Sequence, residues 1–192
     1  MFAAYPSSKD VCGIGGMLGN NTSGEKSIRH GATIDNVHSV DVVLFDGEVY
    51  TFEEISHVEF AKLTKAKNTL GHVCRHLLDI YKQYEKNYVD AVGRVKKAAS
   101  GYRMERIYDH KKKTWNLAKL FVGAQATLGI IVSARLKLVE KSLYKRTMIL
   151  PVGNLSELPI ILKTVMSFNP ESVENKNKNT YIHAKKFLPE AT

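Results

Sequence analysis

The chain has 192 residues, 44% of them hydrophobic and 24% charged, and 28 Lys and Arg against 19 Asp and Glu give a formal charge of +9. That length supports one substantial core, or one domain and part of another. No run of about 18 apolar residues occurs, which excludes a transmembrane helix. The first ten residues lack the basic and apolar regions of a secretory signal. The two cysteines, Cys12 and Cys74, make no disulfide framework, so a reducing, cytoplasmic setting is expected. Positive residues are spread along the chain, with denser patches at 94–97 and 110–113. No basic stretch is interleaved with aromatics, so no nucleic-acid partner is expected, and the charge reads as a solvated or anion-attracting surface.

Residues 13–24 read GIGGMLGNNTSG, five glycines in twelve positions. Such density marks left-handed turns or a backbone that something approaches closely. A dinucleotide fingerprint needs G-x-G-x-x-G between a strand and a helix, and no strand-like run precedes Gly13. A phosphate-binding G-K-[ST] order is also absent, since Gly24 is followed by Glu25. Two readings stay open on the residues alone: a surface turn, or a cradle of backbone amides in which Asn20 and Asn21 read a ligand edge or brace the loop.

Residues 40–45 are apolar and β-branched, Asp46-Gly47 suits a type I′ turn, and EVYTF returns, which predicts a hairpin. A helix follows over about 58–92, with Leu70, Val73, Leu77, Ile80, Tyr81, Tyr84 and Tyr88 on one stripe and Gly93 with RVKK ending it. A short helix is expected over 103–108, a charged loop at 111–113, and a helix through Phe121 capped by Asn116. From Gly129 the period becomes two: Ile130, Val132, Ala134, Leu136 and Leu138 are expected on the buried face of a strand. Residues 146–152 read as a strand, Asn154 or Ser156 opens a helix to about Ser167, and YIHAKKFL reads as a last short helix. The order predicts an α+β fold with a largely antiparallel sheet and flanking helices, and a boundary that divides the chain into 1–143 and 144–192.

His72, Cys74 and His76 lie at i, i+2 and i+4 of the long helix. Cys74 points away from the histidines and no further ligand is evident, so they read as ordinary helix positions and no metal site is expected. The tyrosine stripe reads as core.

The stretch from Tyr5 to Tyr50 resembles the second half of the FAD-binding domain of the flavoprotein family named after p-cresol methylhydroxylase and vanillyl-alcohol oxidase. The nearest likeness is to its FAD-linked 2-hydroxyacid dehydrogenases, the group of the glycolate oxidase subunit, D-lactate dehydrogenase and D-2-hydroxyglutarate dehydrogenase. The family pattern T-I-G-G-M-x-x-N-N-x-x-G, then Y-G-x-T-x-D-N-V, is matched at Ile14, Gly15, Gly16, Met17, Asn20, Asn21, Gly24, Gly31, Thr33, Asp35, Asn36 and Val37. SGYRMERI (100–107) and NLAKLFVGAQATLGIIVSARLKLV (116–139) are similar to two later family segments. The resemblance implies that Gly13, Gly15, Gly16, Asn20, Asn21, Ser23 and Gly24 face FAD, with Gly129 and Ile130 at the flavin or ribityl end. It implies oxidation of a 2-hydroxyacid by hydride transfer to flavin N5.

Three departures from the family pattern matter. The R-G-G-G-T loop of the family's N-terminal subdomain is absent. The family's substrate-gripping arginine and metal ligands lie in a cap of which 144–192 would be the ferredoxin-like beginning. Ala126 stands where the family has a glycine and could forbid a left-handed φ there, and Gly13 replaces a threonine. The expectation is an internal piece of a flavin-dependent oxidoreductase that has no catalytic residue of its own and is inactive alone. Its expected partners are the missing N-terminal subdomain, or a second copy covering exposed apolar surface. A non-enzymatic binding module with a basic face is the alternative.

Overall fold

The computed structural model describes residues 1–91, 99 and 101–187. The basic patch at 94–97, Gly93, Ser100 and the ends expected at 92 and 188 lie outside the described residues. Three short helices open the chain: α1 (Ile14–Gly19), α2 (Ser27–His30) and α3 (Thr33–Asn36). They lead into an antiparallel sheet ordered β2-β1-β6, from β1 (Val37–Val43), β2 (Val49–Phe52) and β6 (Ile130–Leu136). A second antiparallel sheet, ordered β3-β5-β4, joins β3 (Glu54–Ser56), β5 (Thr114–Asn116) and β4 (Tyr108–Asp109). Around them lie α4 (His57–Leu63), α5 (Thr69–Ala91), α6 (Ala118–Phe121), α7 (Leu158–Ser167) and α8 (Lys178–Phe187). The fold is α+β with antiparallel sheets, as the sequence predicts. No helix among the described residues is long and apolar enough to cross a membrane.

The core forms where the inner face of β1 and β2 meets the helices. Val40, Val42, Leu44 and Phe52 pack with Ile34, Leu18 and Phe121, and the Phe52 and Phe121 rings lie 4.6 Å apart. Phe60 of α4 stacks on Trp115 of β5 at 4.2 Å, and Tyr81 of α5 meets Trp115 edge-on at 5.1 Å. Apolar area leaves water here, and the aromatic pairs add directionality.

The hairpin of β1 and β2 forms with a different turn. A type I′ turn needs left-handed φ at both central residues. Gly47 has it, at +82°, and Asp46 does not. The Gly47 N–H donates to Leu44 O (3.0 Å), the Leu44 N–H donates to Glu48 O (3.1 Å), and Asp46 Oδ1 accepts from the Glu48 N–H. The loop is therefore three residues long, and only its glycine needs the left-handed region.

The long helix is two helices. Ser56 and Glu59 cap α4 reciprocally. The chain then breaks, and Asn68 Oδ1 accepts from the Gly71 N–H (2.9 Å) to restart it. The buried face of α5 carries Cys74, Leu77 and Tyr81, which leaves Ile80 and Tyr84 exposed on its flank.

In β6 a bulge overturns the expected alternation. Val42 pairs with Ile131 and Asp41 with Ser133, so Val132 is the extra residue. Ile131, Ala134 and Leu136 pack on the core, whereas Ile130 (63% exposed), Val132 (55%) and Leu138 lie outside. One added residue moves a period-two pattern to the opposite face.

Smaller differences have similar causes. Residues 103–108 form only a 3-10 turn, Met104–Arg106. Asn116 ends β5 instead of capping α6. Residues 146–152 hold no strand, because no neighbouring strand among the described residues offers them hydrogen bonds. Asn154 does open the next helical segment, its Oδ1 accepting from the Ser156 N–H (3.1 Å).

Candidate functional site

The glycine-rich segment is used differently at each position. Gly13 precedes α1, and Gly13, Gly15 and Gly16 are exposed, with nothing within 4 Å of where a Cβ would stand. None of the three has a positive φ. What their lack of side chains leaves is bare, approachable backbone. Gly24 serves the fold instead: a Cβ there would stand 1.8 Å from Tyr5 O, and its N–H donates to Ser27 Oγ (2.9 Å). Asn21 is buried in a left-handed conformation (φ +45°), and its Oδ1 accepts from the Ile34 N–H (3.0 Å). Of the two roles open to the asparagines, bracing fits Asn21. Ser23 is half-buried.

Gly129 is also a packing position. Its φ is +155°, and a Cβ would meet Val42 Cγ1 at 2.6 Å and Val43 O at 2.8 Å. That close approach lets β6 enter the sheet beside β1. Ile130 follows, paired with Val43.

Tertiary structure joins the two segments. The Gly123 N–H donates to Leu18 O (2.8 Å) and the Gln125 N–H to Gly19 O (3.1 Å), so the turn before β6 is bonded to the end of α1. Beside this junction lies an open cleft of about 550 Å³ lined by Asn20, Gly101, Tyr102, Gly123, Gln125 and Thr127, together with Ala99 and Ala124. The Tyr102 hydroxyl and Thr127 Oγ1 share a hydrogen bond of 2.8 Å. Gly101, Gly123, Gln125 and Ala126 all have left-handed φ, at +73°, +89°, +50° and +61°. Ala126 therefore adopts the conformation that its side chain was expected to forbid, held by the turn on either side.

Of the expected site residues, Asn20 alone lines this cleft. Gly13, at the start of α1, and Gly15 and Gly16 within it expose backbone, whereas Asn21, Gly24 and Gly129 are held by their own neighbours Ile34, Tyr5 and Val42 and do not line the cleft. Tyr102, Gly123, Gln125 and Thr127 were not singled out by spacing, although all four lie in the later segments that carry the resemblance. A second cleft, of about 580 Å³, lies on the outer face of the β2-β1-β6 sheet around Asp41 and Glu53. Asp41 accepts from Thr51 Oγ1 (2.6 Å) and from Ser133 Oγ, and these hydroxyls hold its carboxyl below the usual range. The lining of this second cleft carries the carboxylates of Asp41 and Glu53 together with the guanidinium of Arg135.

Among the described residues, no charged one lines the glycine-side cleft. It presents small residues, the hydroxyls of Tyr102 and Thr127, and the side-chain amides of Asn20 and Gln125. The described residues hold no group of three or more His, Cys, Asp or Glu able to share a metal. Cys74 is buried, which pushes its thiol up to about 11 and makes it inert.

Residues 1–53 match the family model for the FAD binding domain. The chain is 26% identical over 140 residues to a D-2-hydroxyglutarate dehydrogenase of Escherichia coli, covering 72% of this chain and 14% of that protein. It is 23% identical over 185 residues to a D-2-hydroxyglutarate dehydrogenase of Pseudomonas putida, covering 96% of this chain and 18% of that protein. To the glycolate oxidase subunit GlcD of Bacillus subtilis it is 25% identical over 150 residues, 78% of this chain and 21% of that protein. The chain thus spans about a fifth or less of the length of these relatives. These matches bear out the resemblance to the FAD-binding domain of FAD-linked 2-hydroxyacid dehydrogenases, a domain whose cofactor is FAD.

Proposed function

We propose that this chain is the FAD-contacting portion of a larger dehydrogenase that oxidises a 2-hydroxyacid, and that the cleft beside α1 receives part of the cofactor. The observation that carries this reading is the bonding of the turn at Gly123 and Gln125 to Leu18 and Gly19, which brings two family-like segments to one cleft. Asn20, Tyr102 and Thr127 supply donors and acceptors at its rim. Gly13, Gly15 and Gly16 leave backbone open beside it, and Asn21, Gly24 and Gly129 hold the frame. Bound FAD would supply hydride acceptance at N5; this chain's residues bind and orient. Because the chain spans about a fifth or less of its relatives, we place substrate binding in a larger assembly and expect no turnover from the chain alone. The apolar residues Ile130 and Val132 on the outer sheet face would be covered there, or by a second copy. Gel filtration across a concentration series separates those two.

Titration of the chain with FAD, followed by visible absorbance and quenching of flavin fluorescence, tests the reading. Saturable binding is expected, and Asn20→Ala should weaken it about tenfold, which is about 1.4 kcal/mol. The substitution should leave stability unchanged, since Asn20 is exposed. Binding that is absent, or indifferent to Asn20→Ala, would remove the cleft from the cofactor site.

A further inference from the structure

We propose that His72 and His76 form a two-imidazole chelate on α5 for a divalent transition metal of the nickel, copper or zinc class. The inference is independent of the flavin reading. Residues four apart on a helix share a face with Cβ atoms about 5–6 Å apart, the spacing used by paired histidines on metal-binding helices. Here both side chains are exposed, and their rings meet edge to face with centroids 4.4 Å apart. Neither imidazole holds a hydrogen bond or ion pair among the described residues, so both rings have free ring nitrogens.

The neighbours leave the site clear. Cys74, between the two, is fully buried against the core and is not a ligand. Arg75 is folded back, its Nη1 donating to Thr64 O (2.9 Å) and Ala66 O (2.7 Å), which ties its positive charge to the α4–α5 connection. Imidazole pairs select nickel, copper and zinc over the oxygen-seeking magnesium and calcium. No third protein ligand joins among the described residues, so water completes the coordination shell. A metal bridging two successive turns would fasten the start of α5, the helix whose Cys74, Leu77 and Tyr81 enter the core. A ligand that binds only the folded chain raises its stability.

The test is thermal unfolding of the full chain with and without nickel chloride, using wild type, His72→Gln, His76→Gln and the α8 variant His183→Gln. Both α5 positions are exposed, so each variant should match wild type without metal by circular dichroism. With nickel at about 1 mM, the wild-type midpoint should rise by about 3 °C and fall back on adding a chelator. The rise should vanish in either α5 variant and persist in His183→Gln. A rise that survives His72→Gln or His76→Gln, that is lost equally in His183→Gln, or that is missing from wild type would overturn the proposal.

Discussion

Helices α5 and α7 show how little a segment's own hydrophobicity decides where it ends up. The sequence of α7, LPIILKTVMS, is mostly apolar, yet none of its residues is buried and Ile160 is 72% exposed. By contrast α5 is long and largely polar, yet Cys74, Leu77 and Tyr81 are buried and reach the aromatic cluster around Trp115. The difference is the presence of a partner surface. Residues up to about 136 close on one another through the two sheets, whereas α7 and α8 have no buried residue. An apolar face stabilises a fold only when another face removes it from water.

The largest expected effect tests that contrast directly. Trp115→Ala should destabilise the chain by about 3–5 kcal/mol in urea unfolding, because Trp115 is 2% exposed and stacked on Phe60. Loss of less than about 1 kcal/mol would mean the aromatic cluster is not the centre of the core.

Next comes a bond that ties the two regions. Lys26, in the N-terminal segment, is buried and donates to Glu171 Oε1 at 2.7 Å, with side-chain exposures of 3% and 28%. Glu171→Gln should cost about 2 kcal/mol by leaving a buried ammonium with a weaker partner. The Lys26 hydrogen bond holds the Glu171 carboxyl below its usual range. Its contribution is therefore fully present above the ordinary carboxylate pKa and is lost as pH falls through the lowered folded value. Wild type should lose stability across that acid window, and Glu171→Gln should lose less. Parallel pH profiles would refute the coupling.

Ala126→Gly should act in the opposite sense. Ala126 sits at φ +61°, a conformation that strains any residue with a Cβ, so glycine should stabilise by about 1 kcal/mol. A destabilised Ala126→Gly variant would mean that the alanine methyl makes contacts outweighing the strain. The smallest effect belongs to Ile160→Ser on α7, expected within about 0.5 kcal/mol of wild type. A larger loss would show that α7 has a packing partner after all.

Local signals suffice for features set by neighbours in sequence. The β1–β2 hairpin, the capping role of Asn154 and the charged β4–β5 loop depend on a few adjacent residues. The site was legible in part. GIGGMLGNNTSG is conspicuous in the sequence, but its pattern does not distinguish one glycine or asparagine from another. Only the fold separates Asn20, which lines the cleft, from Asn21, whose side chain is spent on the Ile34 N–H. It likewise separates the open Gly15 and Gly16 from Gly24, which is pressed against Tyr5.

By itself the sequence determined the α+β class, the likeness to a flavin-binding domain and the positions where backbone must turn or lie bare, because these follow from period, turn chemistry and local residue size. Tertiary structure alone decided the rest. It placed the bulge at Val132 that turns Ile130 outward, joined Gly123 and Gln125 to the end of α1, and left α7 with no fully buried residue. The bulge and the junction depend on pairings between residues far apart in the chain, Val42 with Ile131 and Leu18 with Gly123, where no local pattern records which partner a strand or turn will meet.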